Sequence, residues 1–574
     1  MNKEDILLRA KQWTLAPFDS STQNQTLALI KEDAPELLDC FYTDLEFGTG
    51  GMRGKMGLGP NRINEYTISM ASQGLANYTK QEVPPSEWRV AIAFDSRNRS
   101  QEFAETTAKV FLANGFEVFL FEALRPTPML SFAVRELKCT TGVVITASHN
   151  PPEYNGYKVY WNDGAQIVHP QDKAIIAEVR KVLSPKQVNL ASSLDEIHYL
   201  GKAMDEAFLK ESKAQLLSPE VVQKQKDMRL VFTALHGTGG VLIPNALRSM
   251  GFEAVFEVEE QAVPNGNFPT VASPNPEESS AMEMALKLAE EKNADLVLGT
   301  DPDADRVGIA IRNASKQLVL LNGNETGALL MYYVLYRQKE LGQLPHNAFV
   351  AKTVVTSELF RQIGEHFKVG VEETLTGFKN IAAVIRALEG RANFIVGGEE
   401  SYGYMLGDFV RDKDAVTSAL LIVEMAAWAK ENYGSVYELL KHLHKTFGVW
   451  QERLISLKKE GIEGKQAIAD MMENFRNQPP STLGGIEVEA IDDLRSSERL
   501  FLDGRRAPLA MEKSNVVQFR LAGGGIVTAR PSGTEPKIKF YFSLRNEFNP
   551  VVDYELQREN LNELIDKMEA DFLA

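Results

Sequence analysis

Apolar and polar positions along the chain follow a pattern that recurs three times. A short β-branched run leads into a turn, an amphipathic helical stretch and a second apolar run. The first copy runs from WRVAIAFDSR to NGFEVFLFE, the second from MRLVFTALHG through PNALRSM to GFEAVFEVE, and the third from AFVAKTVVTS through ELFRQIGEHF to KVGVEETLTG. Such alternation predicts βαβ units on mostly parallel sheets. Three copies predict three similar α/β domains, because single cores stop growing beyond about 250–300 residues and this chain has 574.

Breaks in the pattern suggest the boundaries. Leu183 to Ser193 reads as a linker, and Asn322-Gly-Asn324 precedes the apolar helical stretch GALLMYYVLYRQKE. From Val449 onward the repeated theme is absent. There a Pro/Gly-rich loop (Asn477 to Gly485), a strand pair around Arg530 and an amphipathic helix from Glu559 to Leu573 predict a different, α+β fold. The expected domains are therefore 1–200, 201–321, 322–448 and 449–574. Weak amphipathicity from Glu4 to Trp13 suggests that the segment before Phe47 wraps the first domain as a helix.

Composition narrows the function. The 62 Lys and Arg stand against 78 Asp and Glu, a net charge of −16, which disfavours a general nucleic-acid or anionic-membrane binder. Apolar runs stay below the ~18 residues of a membrane span, and the first residues carry no signal-like apolar region. Two cysteines, Cys40 and Cys139, make neither a disulfide framework nor a Cys-rich zinc site, so a reducing cytoplasm is expected.

Candidate chemistry sits just after apolar strands. In TGVVITASHNPPEYNGYKVYW, Ser148 lies on a turn that Pro151 and Pro152 stiffen. It could project a reactive hydroxyl or merely bond its own backbone. In ADLVLGTDPDADRVGIAI, Asp301, Asp303 and Asp305 alternate along a loop, and three converging carboxylates need a cation among them. Hard oxygen ligands in that number suit Mg²⁺, and Arg306 adds a positive charge suited to a phosphoryl group. An EF-hand is excluded, since Arg306 and Arg312 stand where Gly and Glu are required. A phosphatase using Asp301 as nucleophile remains an alternative. In GIVTARPSGTEPKIKFYF, Arg530, Ser532, Gly533 and Thr534 combine a forked donor, hydroxyls and a permissive backbone, as a phosphate cradle or a plain hairpin turn would. Glu399 and Ser401 in VGGEESYGY could read sugar hydroxyls, with Lys413 following. Phe47-Gly-Thr-Gly-Gly-Met-Arg53-Gly54 is a Gly-rich loop, but it is not a Walker A loop, and His236-Gly-Thr-Gly-Gly240 matches an oxyanion loop only loosely. No dinucleotide fingerprint follows a strand.

In chain order, TASHNP, DPDADR, GEES and RPSGTEP resemble the α-D-phosphohexomutase superfamily of phosphoglucomutases and phosphomannomutases, over nearly the whole chain from Gly48 to Tyr541. FGTGGMRG, ETLTGFKN, GEESYGY and RPSGTEPKIKFY are most similar to its long-chain branch, which includes phosphopentomutases. The resemblance implies three α/β domains with mixed sheets and a C-terminal α+β domain around a central cleft. It implies that Ser148 is a phosphoserine completing a Mg²⁺ shell with Asp301, Asp303 and Asp305, and that Arg53, His149, Lys158 and Arg306 serve the reaction centre. Glu399, Ser401 and Lys413 would bind the sugar, and Arg530, Ser532, Gly533 and Thr534 its non-reacting phosphate. The implied reaction interconverts glucose 1-phosphate and glucose 6-phosphate, with glucose 1,6-bisphosphate as intermediate and activator. Phosphopentomutase and phosphomannomutase are the alternatives within the fold, and a non-catalytic sugar-phosphate binder is one outside it. The implied partner is a small phosphosugar, with no nucleic acid or membrane, and the protein a monomer or dimer. One departure stands out. Thr376-Gly-Phe378-Lys379 occupies a stretch where many bacterial phosphomannomutases carry a histidine, which weakens a mannose reading.

Overall fold

The computed structural model describes residues 2–32, 34–459, 461–532 and 537–573. The three copies of the theme form three mixed sheets with the same central order. In the first, β1 (Arg89–Phe94), α1 (Ser100–Ala113) and β2 (Glu117–Phe121) make the βαβ unit, and β3 (Thr141–Ile145) adds parallel to β1 on its other side. β4 (Tyr154–Trp161) then returns antiparallel to β3. The second copy repeats this as β5 (Arg229–Thr233), α2 (Gly239–Met250), β6 (Ala254–Glu257), β7 (Leu296–Thr300) and β8 (Val307–Arg312).

α3 (Gly323–Glu340) opens the third unit. It is capped by Asn322, whose side chain accepts from the Glu325 amide while Glu325 accepts in return. The third copy follows as β9 (Ala348–Thr353), α4 (Leu359–Phe367), β10 (Gly370–Thr374), β11 (Asn393–Glu399) and β12 (Gly403–Leu406). Strands such as β3 and β7 are buried along their whole length, as expected where both faces of a parallel sheet are covered. α5 (Ala415–Tyr433) is buried from Ala415 to Ala429. It forms one continuous core with the first three units, which explains why it is apolar on every face.

The fourth unit is a different fold. β13 (Val449–Lys458), β14 (Ile486–Asp493), β15 (Val517–Leu521), β16 (Ile526–Pro531) and β17 (Lys537–Asn546) form an antiparallel sheet. α6 (Gly461–Asn477) and α7 (Tyr554–Leu573) supply Ile468, Met472, Phe475, Ile565 and Met568 to its core. α7 begins earlier than the expected Glu559, because the Asp553 carboxylate accepts from the Glu555 and Leu556 amides and starts the helix there.

Two connecting stretches also differ from expectation. Residues 183–193 are held against the first unit: the Asn189 amide donates to Gln73 Oε1 at 2.9 Å. His198–Leu200 then adds to the edge of the first sheet beside β2. Among the described residues before Phe47 there are three helices, Lys3–Gln12, Ser20–Lys31 and Pro35–Phe41. They share a small core of Ile6, Trp13, Phe18, Leu37 and Phe41, against which Tyr66 packs. Among the described residues no helix is long and apolar enough to cross a membrane.

Candidate functional site

The three loops singled out from sequence occupy equivalent places. Each is the turn from the strand added beside the βαβ unit into its antiparallel partner: β3 to β4 carries Ser148, β7 to β8 the aspartates, and β11 to β12 Glu400 to Tyr402. These turns lie at the carboxyl ends of parallel strands, where the sheet order switches direction and ligands bind in open α/β sheets. Each also holds one non-glycine residue in the left-handed region: Ser148 (φ 52°), Ala304 (φ 48°) and Tyr402 (φ 65°). Such backbone costs roughly 1 kcal/mol per residue, so the surrounding contacts must impose it.

The first two loops meet directly. Ser148 is only 3% exposed. Its hydroxyl does not point to open solvent; it donates to Asp301 Oδ2 at 2.7 Å and lies 3.2 Å from His149 Nδ1. Asp301, Asp303 and Asp305 are buried, with one ligand atom of each within 4.8 Å of the others. Asp301 Oδ1 accepts from the amides of Asp305 and Arg306, both at 3.1 Å. Asp303 Oδ2 accepts from Lys158 Nζ at 2.8 Å and from Thr127 Oγ1 at 2.9 Å, and Asp305 Oδ2 lies 3.1 Å from Lys413 Nζ.

Among the described atoms, Asp303 Oδ1 and Asp305 Oδ1 are buried without a hydrogen-bond partner. Unpartnered buried carboxylate oxygens are costly. Burial, and then repulsion from Asp303 and Asp305, push the Asp301 carboxyl well above the usual range. Burial acts on Asp303 in the same direction, but the Lys158 ammonium more than reverses it. An all-oxygen carboxylate set with orphaned atoms, partly neutralised by two lysines, fits a hard divalent cation.

The other candidates surround this centre. A cleft of about 800 Å³ is lined from all four units, including Arg53, Ser148, Glu399, Ser401, Lys413 and Arg530. His149, Lys158, Asp305 and Arg306 face it as well, whereas Asp301 lies behind Ser148 and Asp303 behind Lys158. Arg53, on the strand Gly51–Lys55, donates to Asn150 Oδ1 in the Ser148 loop at 3.1 Å. Burial, followed by the charges of Arg306 and Arg53, pushes His149 well below its ordinary value, so its ring is neutral. Arg306 is ion-paired with Glu277, and its charge is therefore shared between that carboxylate and the triad. Glu399 Oε1 accepts from the Gly377 amide at 2.8 Å, which brings the Thr376-Gly-Phe-Lys stretch into the cleft. Lys379 Nζ reaches Thr49 Oγ1 of the Gly-rich loop at 2.7 Å, across the mouth of the cleft. At the far wall Arg530 lies beside the Tyr541 hydroxyl, and the Ser532 amide donates to Lys537 O at 2.8 Å. Gly533 and Thr534 lie outside the described residues.

Several contributors escaped the sequence reading. Arg97 is buried behind the Ser148 loop and donates to four of its carbonyls: Ser148 (2.5 Å), Pro151 (2.9 Å), Tyr154 (3.0 Å) and Asn150. Thr127 opens the helix Thr127–Glu136, and its amide donates to Asp303 O at 2.8 Å. Tyr160 donates to Asp412 Oδ2 at 2.6 Å, beside Lys413. Arg97 had one available signal, the Asp95-Ser-Arg97 turn straight after the first strand of the theme.

Family profiles match three stretches: phosphoglucomutase/phosphomannomutase α/β/α domain I over residues 44–186, domain II over 206–315 and domain III over 322–447. A phosphoglucomutase of Staphylococcus haemolyticus is 37% identical over 506 residues, covering 88% of this chain and 91% of that protein. One of Staphylococcus aureus is 39% identical over 509 residues, covering 88% and 90%. In fold, the chain is similar to the open form of the Paramecium phosphoglucomutase pp63/parafusin, with a TM-score of 0.69 and 18% identity, over 92% of this chain and 96% of that one. It is likewise similar to a phosphoglucomutase/phosphomannomutase family protein of Burkholderia thailandensis, with a TM-score of 0.65 and 18% identity over 91% and 96%.

Proposed function

The chain belongs to the phosphoglucomutase/phosphomannomutase family, and from that premise we propose that it is a cytoplasmic phosphoglucomutase, an isomerase that interconverts glucose 1-phosphate and glucose 6-phosphate. One observation carries the reading: the Ser148 hydroxyl is seated 2.7 Å from Asp301, within a buried carboxylate triad, at the wall of a cleft to which four units contribute.

In this reading Ser148 carries a phosphoryl group and passes it to the free hydroxyl of the bound sugar monophosphate, giving glucose 1,6-bisphosphate. The bisphosphate turns over in the cleft, and Ser148 takes back the phosphoryl group from the other end. The cleft volume lies within the ~300–1,000 Å³ of small-molecule sites and leaves room for that reorientation. Asp301, Asp303, Asp305 and the serine would hold Mg²⁺, which supplies positive charge to the transferring phosphoryl oxygens. Lys158 and Arg306 add fixed charge on the same side, so the reacting phosphate meets an electropositive centre despite the net charge of −16. Distant surface acids oppose this little, since the Debye length at physiological salt is ~8 Å. Neutral His149 keeps a ring nitrogen beside the serine oxygen and orients it. Glu399 and Ser401 read sugar hydroxyls, Lys413 stands near the sugar, and Arg530 with Ser532, Gly533 and Thr534 grips whichever phosphate is not reacting. A cradle separate from the reacting serine suits a substrate that binds in both orientations. The fourfold division 1–200, 201–321, 322–448 and 449–574 gives each unit one such loop.

The test is direct. Mass spectrometry of the purified protein should find phosphate on Ser148, and Ser148→Ala should abolish mutase turnover. Full activity in Ser148→Ala would sink the assignment. Glucose, mannose, glucosamine, ribose and deoxyribose 1-phosphates assayed side by side should favour glucose; a pentose preference would make the enzyme a phosphopentomutase. Release of inorganic phosphate without isomerisation would indicate a phosphatase.

A further inference from the structure

The mutase reading leaves the His236-Gly-Thr-Gly-Gly240 turn without a part, yet it touches the aspartate loop directly and the serine side through residues 263–270. Toward the metal loop, the Thr238 amide donates to Pro302 O at 2.8 Å. A Cβ on Gly237 would lie 2.4 Å from Pro302 Cα, so the two loops are in backbone contact. In the other direction, His236 organises residues 263–270. Its Nδ1 lies 3.1 Å from Val263 O and its Nε2 2.9 Å from Thr270 Oγ1, and its carbonyl accepts from the Asn265 amide at 3.2 Å. Leu235 and His236 both sit at positive φ, 45° and 62°. Two consecutive left-handed non-glycine residues persist only where contacts impose them.

Residues 263–270 in turn cover the arginine behind the serine. The Phe268 ring stacks on the Arg97 guanidinium at 5.1 Å. Asn98 Nδ2 donates to Asn267 Oδ1 at 2.8 Å. Gly266 lies so close to the first unit that a Cβ there would meet the Asn98 amide nitrogen at 2.2 Å and the Arg97 carbonyl carbon at 2.8 Å. Arg97 itself spans the Ser148 loop through four carbonyls.

We propose that residues 234–240 and 263–270 form a brace that sets the Ser148 loop of the first unit against the carboxylate triad of the second. His236 and Arg97 are its positioning residues; neither faces the cleft. The brace runs from Pro302 through Thr238 and His236 to Asn265, whose carbonyl accepts from the Phe268 amide at 3.1 Å, and from the Phe268 ring through Arg97 to Ser148 O. Its work is to hold the serine oxygen within reach of the cation site, while the sugar is held by units the brace does not touch. The inference rests on Ser148 and the triad being the reaction centre.

The prediction is a split between kcat and KM. Gly266→Ala forces the loop off Asn98. Misplacement of reacting groups by about 1 Å costs up to ~10²-fold in rate, so kcat should fall by about 10- to 100-fold while KM for glucose 1-phosphate stays within about twofold. Thr270→Val, nearly equal in volume, removes one partner of His236 and should move kcat the same way by less. Ile422→Val, in the fully buried stretch of α5, serves as the control for lost stability and should leave both constants unchanged. Binding of Mn²⁺ followed by electron paramagnetic resonance should weaken in Gly266→Ala and not in Ile422→Val. Wild-type kcat and Mn²⁺ affinity in both Gly266→Ala and Thr270→Val would overturn the brace, as would a KM that rises in step with the fall in kcat. If the wild-type protein shows no mutase turnover while Gly266→Ala still loses Mn²⁺ affinity, the mutase reading fails and the brace stands.

Discussion

The two walls of the cleft are built differently. On the reacting side, Ser148, Asp301, Asp303 and Asp305 are each no more than 3% exposed. Every one of these side chains except Ser148 comes from a single turn, and Lys158, Thr127 and Arg97 of the first unit tie that turn and the serine loop together. On the holding side, Ser401 and Arg530 are half-buried and come from two units, which are joined at other residues, as where Gln518 Nε2 donates to Val354 O at 2.8 Å. Chemistry on a phosphoryl group depends on preorganised charge in a dry site, where positions must be fixed before the substrate arrives. On the proposed mutase reading, the other wall would accept either end of a bisphosphate, which needs access more than rigidity.

That contrast assigns each wall its own kinetic signature. Asp303→Asn removes a charge from the triad and keeps the shape. It should lower kcat by about 10²–10³-fold, the range seen when one preorganised electrostatic group is lost, with KM little changed. A rise in KM of the same size would show that the two walls are not separable. A smaller effect is expected from Arg530→Ala on the holding side. Hydrogen bonds to charged groups contribute about 1.5–3 kcal/mol, so KM should rise about 10- to 100-fold with a lesser change in kcat. If kcat falls and KM does not, Arg530 belongs to the reaction centre instead.

Much of this organisation was legible in the sequence, for reasons that differ along the chain. The three sheets follow from period and turn chemistry, because a strand buried on both faces is mostly apolar, as Thr141–Ile145 and Leu296–Thr300 are apart from one threonine each. Asp301, Asp303 and Asp305 stood out because alternate carboxylates on one short loop have few structural uses. Arg97 and Thr127 did not stand out. Their partners are backbone carbonyls and a side chain 176 residues away in the case of Thr127 and Asp303, and such contacts leave no local pattern. The stretch 183–193 read as a linker because its composition is that of a loop; the bonds from the Asn189 amide to Gln73 and from the Ala191 amide to Lys109 O reveal that it is tied down. Gly533 and Thr534 remain expectations of the sequence, outside the described residues.

The smallest predicted effect lies in neither wall, at the joint between the third and fourth units. His444, in the helix Val436–Phe447, is fully buried, and the Tyr554 hydroxyl of α7 lies 2.8 Å from its Nδ1. Burial, and then the nearby Arg558 charge, push its pKa down from 6.5 to about 3. In the unfolded chain the ring takes up a proton below pH 6.5, whereas the folded chain keeps it neutral until about pH 3. The unfolded state therefore binds more protons across that window, and stability must fall as pH drops through it. The contribution is complete above pH 6.5 and amounts to about 2 kcal/mol lost on going from pH 7 to pH 5. His444→Gln removes the titration and should flatten the pH dependence of thermal unfolding over that interval. It should leave kcat and KM at pH 7 within about twofold, because surface-distant packing changes away from the site act on stability first. An unfolding profile as steep in His444→Gln as in the wild type would exclude this histidine as a source of the acid sensitivity. A change in KM would instead mean that the joint, and through it the holding wall, is mechanically coupled to the cleft.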